Sequence, residues 1–319
     1  MSKKYANICG IPDDELEEHF GEHIKVLSQL DEFARYDNIV GKILSWYDGY
    51  SWDGKNSVIN PFVLLSFFAE ERFSNFWYAS GTPYFLMALL KEKPESFLTL
   101  KNLEISEMVL DSFDLRRIEL EPLLFQTGYL TVAEKRFRGD SASYLLKIPN
   151  LEVREALYMN IVAQFTEQSG AYAEIVCRKI KESLGSGDLQ GMLDMLRGLF
   201  ASIPYELHIG REAYYHSIFY AMLKLLGFDA DAEVSVSGGR VDAVLEFGER
   251  VYVMEFKYAE CAANASAEEK RELSERTLDE GMKQIEERSY AKRYTGSGKT
   301  VCKAAFAFLG RDEIQMRLS

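Results

Sequence analysis

The sequence predicts an α+β protein: a mainly helical N-terminal two thirds carrying one helix-plus-hairpin unit, then a C-terminal α/β domain with a mixed central sheet. Three observations predict it. Apolar residues recur at three- and four-residue steps over the first ninety or so positions, with Leu16, Phe20, Ile24, Leu27 and Leu30 on one stripe. A turn signal at Arg138-Gly139-Asp140 separates two short apolar runs. From about Pro204 the pattern reads helix, three strands, helix, strand.

Length and composition set the frame. The chain has 319 residues, 47% of them hydrophobic, enough for a large core and for two or three domains. Its formal net charge is −13 and its pI near 5.0, so attraction to a polyanion has to come from a local basic or metal-bearing site. The four cysteines, Cys9, Cys177, Cys261 and Cys302, show no CxxC spacing, which fits free thiols in a reducing, cytoplasmic compartment. No apolar run reaches the length of a bilayer span and no signal-peptide pattern opens the chain, so neither membrane insertion nor export is expected.

The N-terminal elements follow in order. The amphipathic helix from Asp13 leads to an aromatic, glycine-containing turn, Trp46-Tyr47-Asp48-Gly49-Tyr50-Ser51-Trp52-Asp53-Gly54, and Asn60-Pro61-Phe62 opens another apolar helix. The turn reads as a buried aromatic cluster, because no basic residues interleave the rings as a base-stacking platform would require. Gly81-Thr82-Pro83 is a further helix start, with Thr82 as cap and Pro83 in the first turn.

Between about Glu119 and Arg154 a short helix at Glu121–Phe125 precedes Gly128–Val132 and Tyr144–Ile148, a winged-helix-like arrangement. Its tip, Lys135-Arg136-Phe137-Arg138, is the candidate nucleic-acid contact, with ordinary surface charge as the competing explanation. Leu151–Phe200 returns to helices. The segment divides the chain into residues 1–118, 119–203 and 204–319.

In the last of these, a helix spans Gly210–Leu226, strands lie near Glu233–Val236, Val241–Phe247 and Val251–Tyr258, a helix covers Leu278–Tyr294, and Val301–Phe308 closes the sheet. Cys261–Arg276, alanine-rich and then charged, reads as a mobile insertion or frayed helix. The strand Val251–Tyr258 is the most informative element. Side chains alternate along it, so Val251, Val253, Glu255 and Lys257 share one face while Tyr252, Met254, Phe256 and Tyr258 share the other. A strand apolar on both faces is buried on both, and a carboxylate and an ammonium at its end must be paired with each other or with a metal.

Asp242, Glu255 and Lys257, in this strand order, resemble the PD-(D/E)XK nuclease superfamily, whose fold is restriction-endonuclease-like. The resemblance implies that Asp242 and Glu255 bind a divalent cation, Mg²⁺ or Mn²⁺, with the Phe256 carbonyl as a further ligand. It implies that Lys257 positions or activates water. Two converging carboxylates supply hard oxygen ligands, and the cation stabilises charge developing at phosphorus. In the same resemblance Glu212, at the start of the preceding helix, supplies an acidic residue, and Gln284 on the following helix orients the site. Tyr290 stands about 240° around the helix from Gln284, which separates it from that role.

The whole chain further resembles bacterial AAA-ATPase-like proteins with a C-terminal PD-(D/E)XK module. Trp46–Tyr50, Asn60–Phe62, Ser80–Pro83, Phe125–Leu130 and Pro149–Arg154 carry that likeness. The nucleotide-binding half of those proteins has no counterpart here, so an intact ATPase is not expected and the chain reads as a fragment or a shortened member. Gly296-Ser297-Gly298-Lys299-Thr300 does not replace it: the phosphate-loop motif needs glycine where Arg293 stands, and a strand before and a helix after, whereas the order here is reversed. Glu212 and His216 at i, i+4 do not form a zinc motif either.

The expected function is divalent-metal-dependent hydrolysis of phosphodiester bonds, with DNA as the nucleic-acid partner. The competing expectation is a non-catalytic module that binds a protein partner, a second copy of the chain or DNA.

Overall fold

The structure is a computed structural model, and it describes residues 7–79, 103–110, 119–138, 141–166, 168–201, 218–223, 230–236, 239–262, 264–287, 298–310 and 313–319. The chain divides into two compact units, Met1–Glu92 with Thr99–Leu157, and Lys93–Leu98 with Tyr158–Ser319.

In the first unit, helices α1 (Asp13–Ser28), α2 (Ile39–Tyr47) and α3 (Pro61–Glu70) surround a core of Leu16, Ile24, Leu27, Phe33, Ile43, Tyr47, Val63 and Phe67. The stripe expected on α1 is the buried one, with Leu16, Ile24 and Leu27 inside. Asn38 and Asn60 cap α2 and α3, accepting the amides of Gly41 and Phe62, and Pro61 occupies the first turn of α3. The four-residue helix α4 (Phe76–Ala79) follows, then β1 (Leu103–Ser106), α5 (Glu107–Leu110) and α6 (Leu120–Gln126). Strands β2 (Thr131–Arg138) and β3 (Ser141–Lys147) pair antiparallel, and β1 adds to β3 in a three-stranded sheet of order β1-β3-β2. The sequence reading anticipates the hairpin but not its third strand.

Two of the sequence motifs meet in this unit. Asn150 donates its side-chain amide to the Tyr47 carbonyl (3.2 Å) and accepts the Val153 amide (3.0 Å). Gly49 has φ +124°, and a Cβ there would lie 2.1 Å from the Pro149 carbonyl oxygen. Only glycine tolerates both the dihedral and that approach. The Trp46–Tyr50 and Pro149–Arg154 segments are thus two halves of one packing interaction.

The second unit contains the rest of α7 (Leu151–Thr166), α8 (Gly170–Ser186), α9 (Leu189–Ala201) and a helical stretch at 218–223. Its sheet has the order β4-β5-β6-β7-β8, formed by Ala230–Val236, Gly239–Phe247, Arg250–Ala259, Thr300–Leu309 and Glu313–Leu318. The first three strands run antiparallel, β6 and β7 are parallel, and β8 returns antiparallel. A parallel pair needs a crossover, and α10 (Ala267–Glu287) provides it. This is a mixed sheet of the restriction-endonuclease-like kind.

Two expectations change here. β8, not β7, closes the sheet, since Glu313–Leu318 pairs with Ala304–Leu309. The segment read as an insertion or frayed helix is instead the first part of α10, started by a capping box. The Ser266 amide donates to Glu269 Oε2 at 2.7 Å, and the Glu269 amide donates to Ser266 Oγ at 3.2 Å. The glycine-containing stretch Leu184–Asp188 is mostly the end of α8, terminated by Gly187 at φ +79°.

Helices cover both sheet faces. On one, Phe219 packs 4.9 Å from Phe256, Phe200 packs 5.5 Å from Phe308, and Tyr252 donates its hydroxyl to the Leu184 carbonyl at 3.1 Å. On the other, α10 lays Leu278 and Ile285 over Val251, Val253, Ala305 and Ala307. Residues Val251–Phe256 are consequently all buried, as a strand apolar on both faces requires.

Candidate functional site

The site forms where β5 and β6 part. Their antiparallel register runs from Phe247↔Arg250 to Ala243↔Met254 and stops there. One step further, Asp242 stands opposite Glu255, and its side chain replaces a ladder acceptor: Asp242 Oδ2 accepts the Phe256 amide at 2.8 Å. That bond fixes the Asp242 carboxylate on the backbone between Glu255 and Lys257.

Glu255 is fully buried, and Lys257, with 18% of its side chain exposed, donates from Nζ to Glu255 Oε1 at 3.1 Å. The two are neighbours because period-two alternation puts them on one face, the face covered by α10. A carboxylate taken out of water in this way is tolerable only beside a cation or strong donors. The structure thus places Asp242 on the Phe256 amide and Lys257 on Glu255, at one end of β6.

Helix α10 approaches closely through Gly281, a residue the sequence reading passed over. A Cβ at Gly281 would lie 3.0 Å from Ala305 Cβ and 3.7 Å from Lys257 Cγ. The available signal was an isolated glycine inside a helical pattern, which marks close packing. Gln284, half-buried, follows one turn later. Its direction follows from the opposite side of the helix. Glu275 and Asp279 pair with Arg317 on β8, and Glu286 pairs with Lys303 on β7 at 3.7 Å. Those residues mark the flank turned toward β7 and β8. Gln284 lies roughly 160° away around the helix from Glu286 and about 140° from Asp279, on the flank turned away from those ion pairs.

Glu212, His216 and Tyr290 lie outside the described residues, as do Gly81-Thr82-Pro83 and the turn residues Gly139 and Asp140. Among the described residues no group of three or more His, Cys, Asp and Glu side chains assembles. The donors gathered at β6 therefore comprise two carboxylates and a main-chain carbonyl. All are hard oxygen donors, and Mg²⁺ needs only one or two carboxylates because it retains much of its water. The donor set fits such a cation.

The hairpin presents a different picture. Lys135 Nζ donates to the Tyr144 hydroxyl at 2.7 Å and lies 3.5 Å from Glu107, while Arg136 contacts Glu104 at 3.3 Å and Glu134 at 2.8 Å. Their charge is largely met by carboxylates of the same sheet and of the adjoining α5. Lys299, in the glycine-containing turn, is held by Glu246 at 2.5 Å, and Thr300 begins β7 with no helix after it, contrary to a phosphate loop.

Comparison with known proteins agrees with the C-terminal geometry. Residues 210–317 match the family described as the PD-(D/E)XK nuclease superfamily. Over 306 residues the chain is 29% identical to the "Uncharacterized protein in vnfD 5'region" of Azotobacter chroococcum mcd 1, covering 94% of this chain and 54% of that protein. The chain thus spans about half the length of the curated relative it matches. No solved structure matches the chain.

Proposed function

We propose that the C-terminal domain is a divalent-metal-dependent phosphodiesterase acting on nucleic acid, with DNA as substrate. One observation carries the reading: the Asp242 carboxylate is bound to the Phe256 amide, next to the buried Glu255 and its partner Lys257. A structural Glu–Lys pair alone would not require an aspartate anchored at that point.

In this reading Asp242 and Glu255, with the Phe256 carbonyl, hold Mg²⁺ or Mn²⁺. When bound, the cation supplies Lewis acidity toward a phosphate oxygen and a water of lowered pKa. Lys257 holds the attacking water by donating from Nζ and offsets negative charge near the phosphate. Gln284 orients the site, and Glu212 assists the metal or the water. Attack is in line, without a covalent intermediate.

The same proposal treats residues 1–118 as a remnant of an AAA-ATPase-like region, 119–203 as a winged-helix-like hairpin with its helical connector, and 204–319 as the nuclease domain, in a cytoplasmic protein. No helix among the described residues is long and apolar enough to cross a membrane.

Incubation of the purified chain with single- and double-stranded DNA and with RNA, each with Mg²⁺ or Mn²⁺, tests the assignment. Cleavage that requires the metal and falls by about a hundredfold or more in Asp242→Ala and Lys257→Ala is expected. Cleavage undiminished by both substitutions rejects the site. Absence of metal binding, seen as indistinguishable Mn²⁺ calorimetry for wild type and Glu255→Gln, favours a non-catalytic interaction module.

A further inference from the structure

The first unit contains a cavity of about 360 Å³ that the nuclease chemistry does not use. Tyr50, Trp52, Trp77 and Phe125 line it with aromatic surface, and none of the described residues lining it is charged. The aromatic turn is therefore divided in its use. Tyr47 is wholly buried in the helical core, whereas Tyr50 and Trp52, the latter 39% exposed, face this space.

Gly128 keeps the cavity open. It has φ +82°, and a Cβ there would meet Trp77 at 3.4 Å and Tyr50 at 3.7 Å. A side chain larger than methyl at this position would project between those two rings.

Three polar groups in the lining are uncommitted. The Tyr50 hydroxyl is buried and makes no hydrogen bond among the described residues. Burial raises its pKa, so it stays a protonated donor. Asn60 uses Oδ1 to accept the Phe62 amide at 3.0 Å, which leaves its NH₂ with no protein partner among the described residues. The exposed Gln126 amide also makes no side-chain hydrogen bond among the described residues. The neighbouring hydroxyls differ. Thr131 Oγ1 donates to the Ser51 carbonyl (2.7 Å) and accepts the Ser51 amide (2.6 Å), so it is consumed by the fold.

We propose that this cavity binds a nucleobase, with the ring held against Tyr50, Trp52, Trp77 and Phe125 and its edge read by the Tyr50 hydroxyl and the Asn60 and Gln126 amides. Stacking on aromatic side chains is tolerant of sequence, and carboxamides match the paired donors and acceptors of base edges. The uncharged lining selects the base and leaves any phosphate outside. A buried hydroxyl without a partner is destabilising, and an acceptor on the ring relieves it. The volume falls within the range of ligand sites and suits a planar ring of this size. The base can come from a free nucleoside or from an unpaired nucleotide in a strand.

Calorimetry and saturation-transfer NMR on the full chain distinguish these sources, using adenosine, guanosine, cytidine and thymidine, a short single-stranded oligonucleotide, and its abasic counterpart. At least one nucleoside binding with Kd about 1 mM or tighter is expected. Binding of the oligonucleotide but of neither the nucleosides nor the abasic strand also supports the site, with the strand as source. Tyr50→Phe removes a hydroxyl that bonds nothing, so the fold is retained while affinity drops about tenfold. Gln126→Ala weakens binding too, and nucleoside binding is the same with and without added Mg²⁺, which separates this site from the nuclease reading. No saturable binding by any of these ligands overturns the proposal. So does binding that survives Tyr50→Phe combined with Gln126→Ala.

Discussion

Asp242 and Phe256 are joined by a side-chain-to-backbone hydrogen bond of 2.8 Å at the point where the β5–β6 ladder ends. The bond substitutes a carboxylate for the carbonyl that a continued ladder would offer. It holds a carboxylate on the strand opposite the buried Glu255, whose own partner is Lys257.

That relationship separates the charge of Asp242 from its structural role. Asn at this position retains an acceptor for the Phe256 amide, whereas Ala removes it. Asp242→Asn is expected to keep the wild-type melting temperature and weaken Mn²⁺ binding roughly tenfold or more, while Asp242→Ala loses metal binding and about 1 kcal/mol of stability. Thermal melts beside Mn²⁺ calorimetry check both. Equal metal affinity in Asp242→Asn and wild type removes Asp242 from the ligand set.

Lys257 and Glu255 stand or fall together. Removing the ammonium leaves a carboxylate with no solvent exposure without its cation, and breaking such a pair typically costs about 3–5 kcal/mol. Lys257→Ala is expected to lower the urea midpoint by that order. The double variant Glu255→Gln/Lys257→Met removes the stranded charge and recovers much of the loss. A single Lys257→Ala variant as stable as wild type contradicts the burial of Glu255.

The close approach of α10 makes Gly281 sensitive to size. Ala adds helix propensity worth about 1 kcal/mol but brings its methyl to 3.0 Å from Ala305, so the two effects oppose each other. Val has no such compensation. Gly281→Val is expected to destabilise by about 1–3 kcal/mol and to reduce metal-dependent cleavage by displacing Lys257. Denaturation midpoints and cleavage rates on the same preparations test it, and an unaffected Gly281→Val variant shows that the helix can shift without disturbing the site.

Much of this was legible in the sequence because it follows from alternation. The both-faces-apolar run Val251–Phe256 announced a central strand, and its period put Glu255 and Lys257 together. Asp242 was also readable, since it stands just before the apolar run Ala243–Leu245 of the adjacent strand. The misses have physical reasons. Glu313-Ile314-Gln315-Met316-Arg317-Leu318 alternates cleanly, but an edge strand at the end of a chain has no turn signal after it to mark it. Ser266-Ala267-Glu268-Glu269 carries a capping box whose signal was overridden by the alanine-rich composition before it. The third strand, β1, is four residues long and is stabilised by pairing with β3, a non-local contact that no local pattern encodes. The direction of Gln284 likewise needed the ion pairs to Arg317 and Lys303, which fix the rotation of α10.

Glu152 in the first unit predicts a pH dependence independent of the nuclease site. Its side chain is 1% exposed and accepts the Trp77 amide at 2.7 Å through Oε1, yet burial pushes its carboxyl up to about 7. The folded pKa therefore exceeds the unfolded value of about 4.3. Between these values the native state binds more protons than the unfolded state, so stability contributed by the protonated group is present below pH 4 and is lost as pH rises toward 7. The loss is on the order of 3 kcal/mol and levels off above about pH 8. Glu152→Gln keeps an oxygen for the Trp77 amide but cannot ionise, so it is expected to flatten this contribution and to be more stable than wild type at pH 8. Urea midpoints at intervals from pH 5 to 8 for both proteins check the sign, and parallel pH profiles show that Glu152 titrates as an ordinary carboxylate.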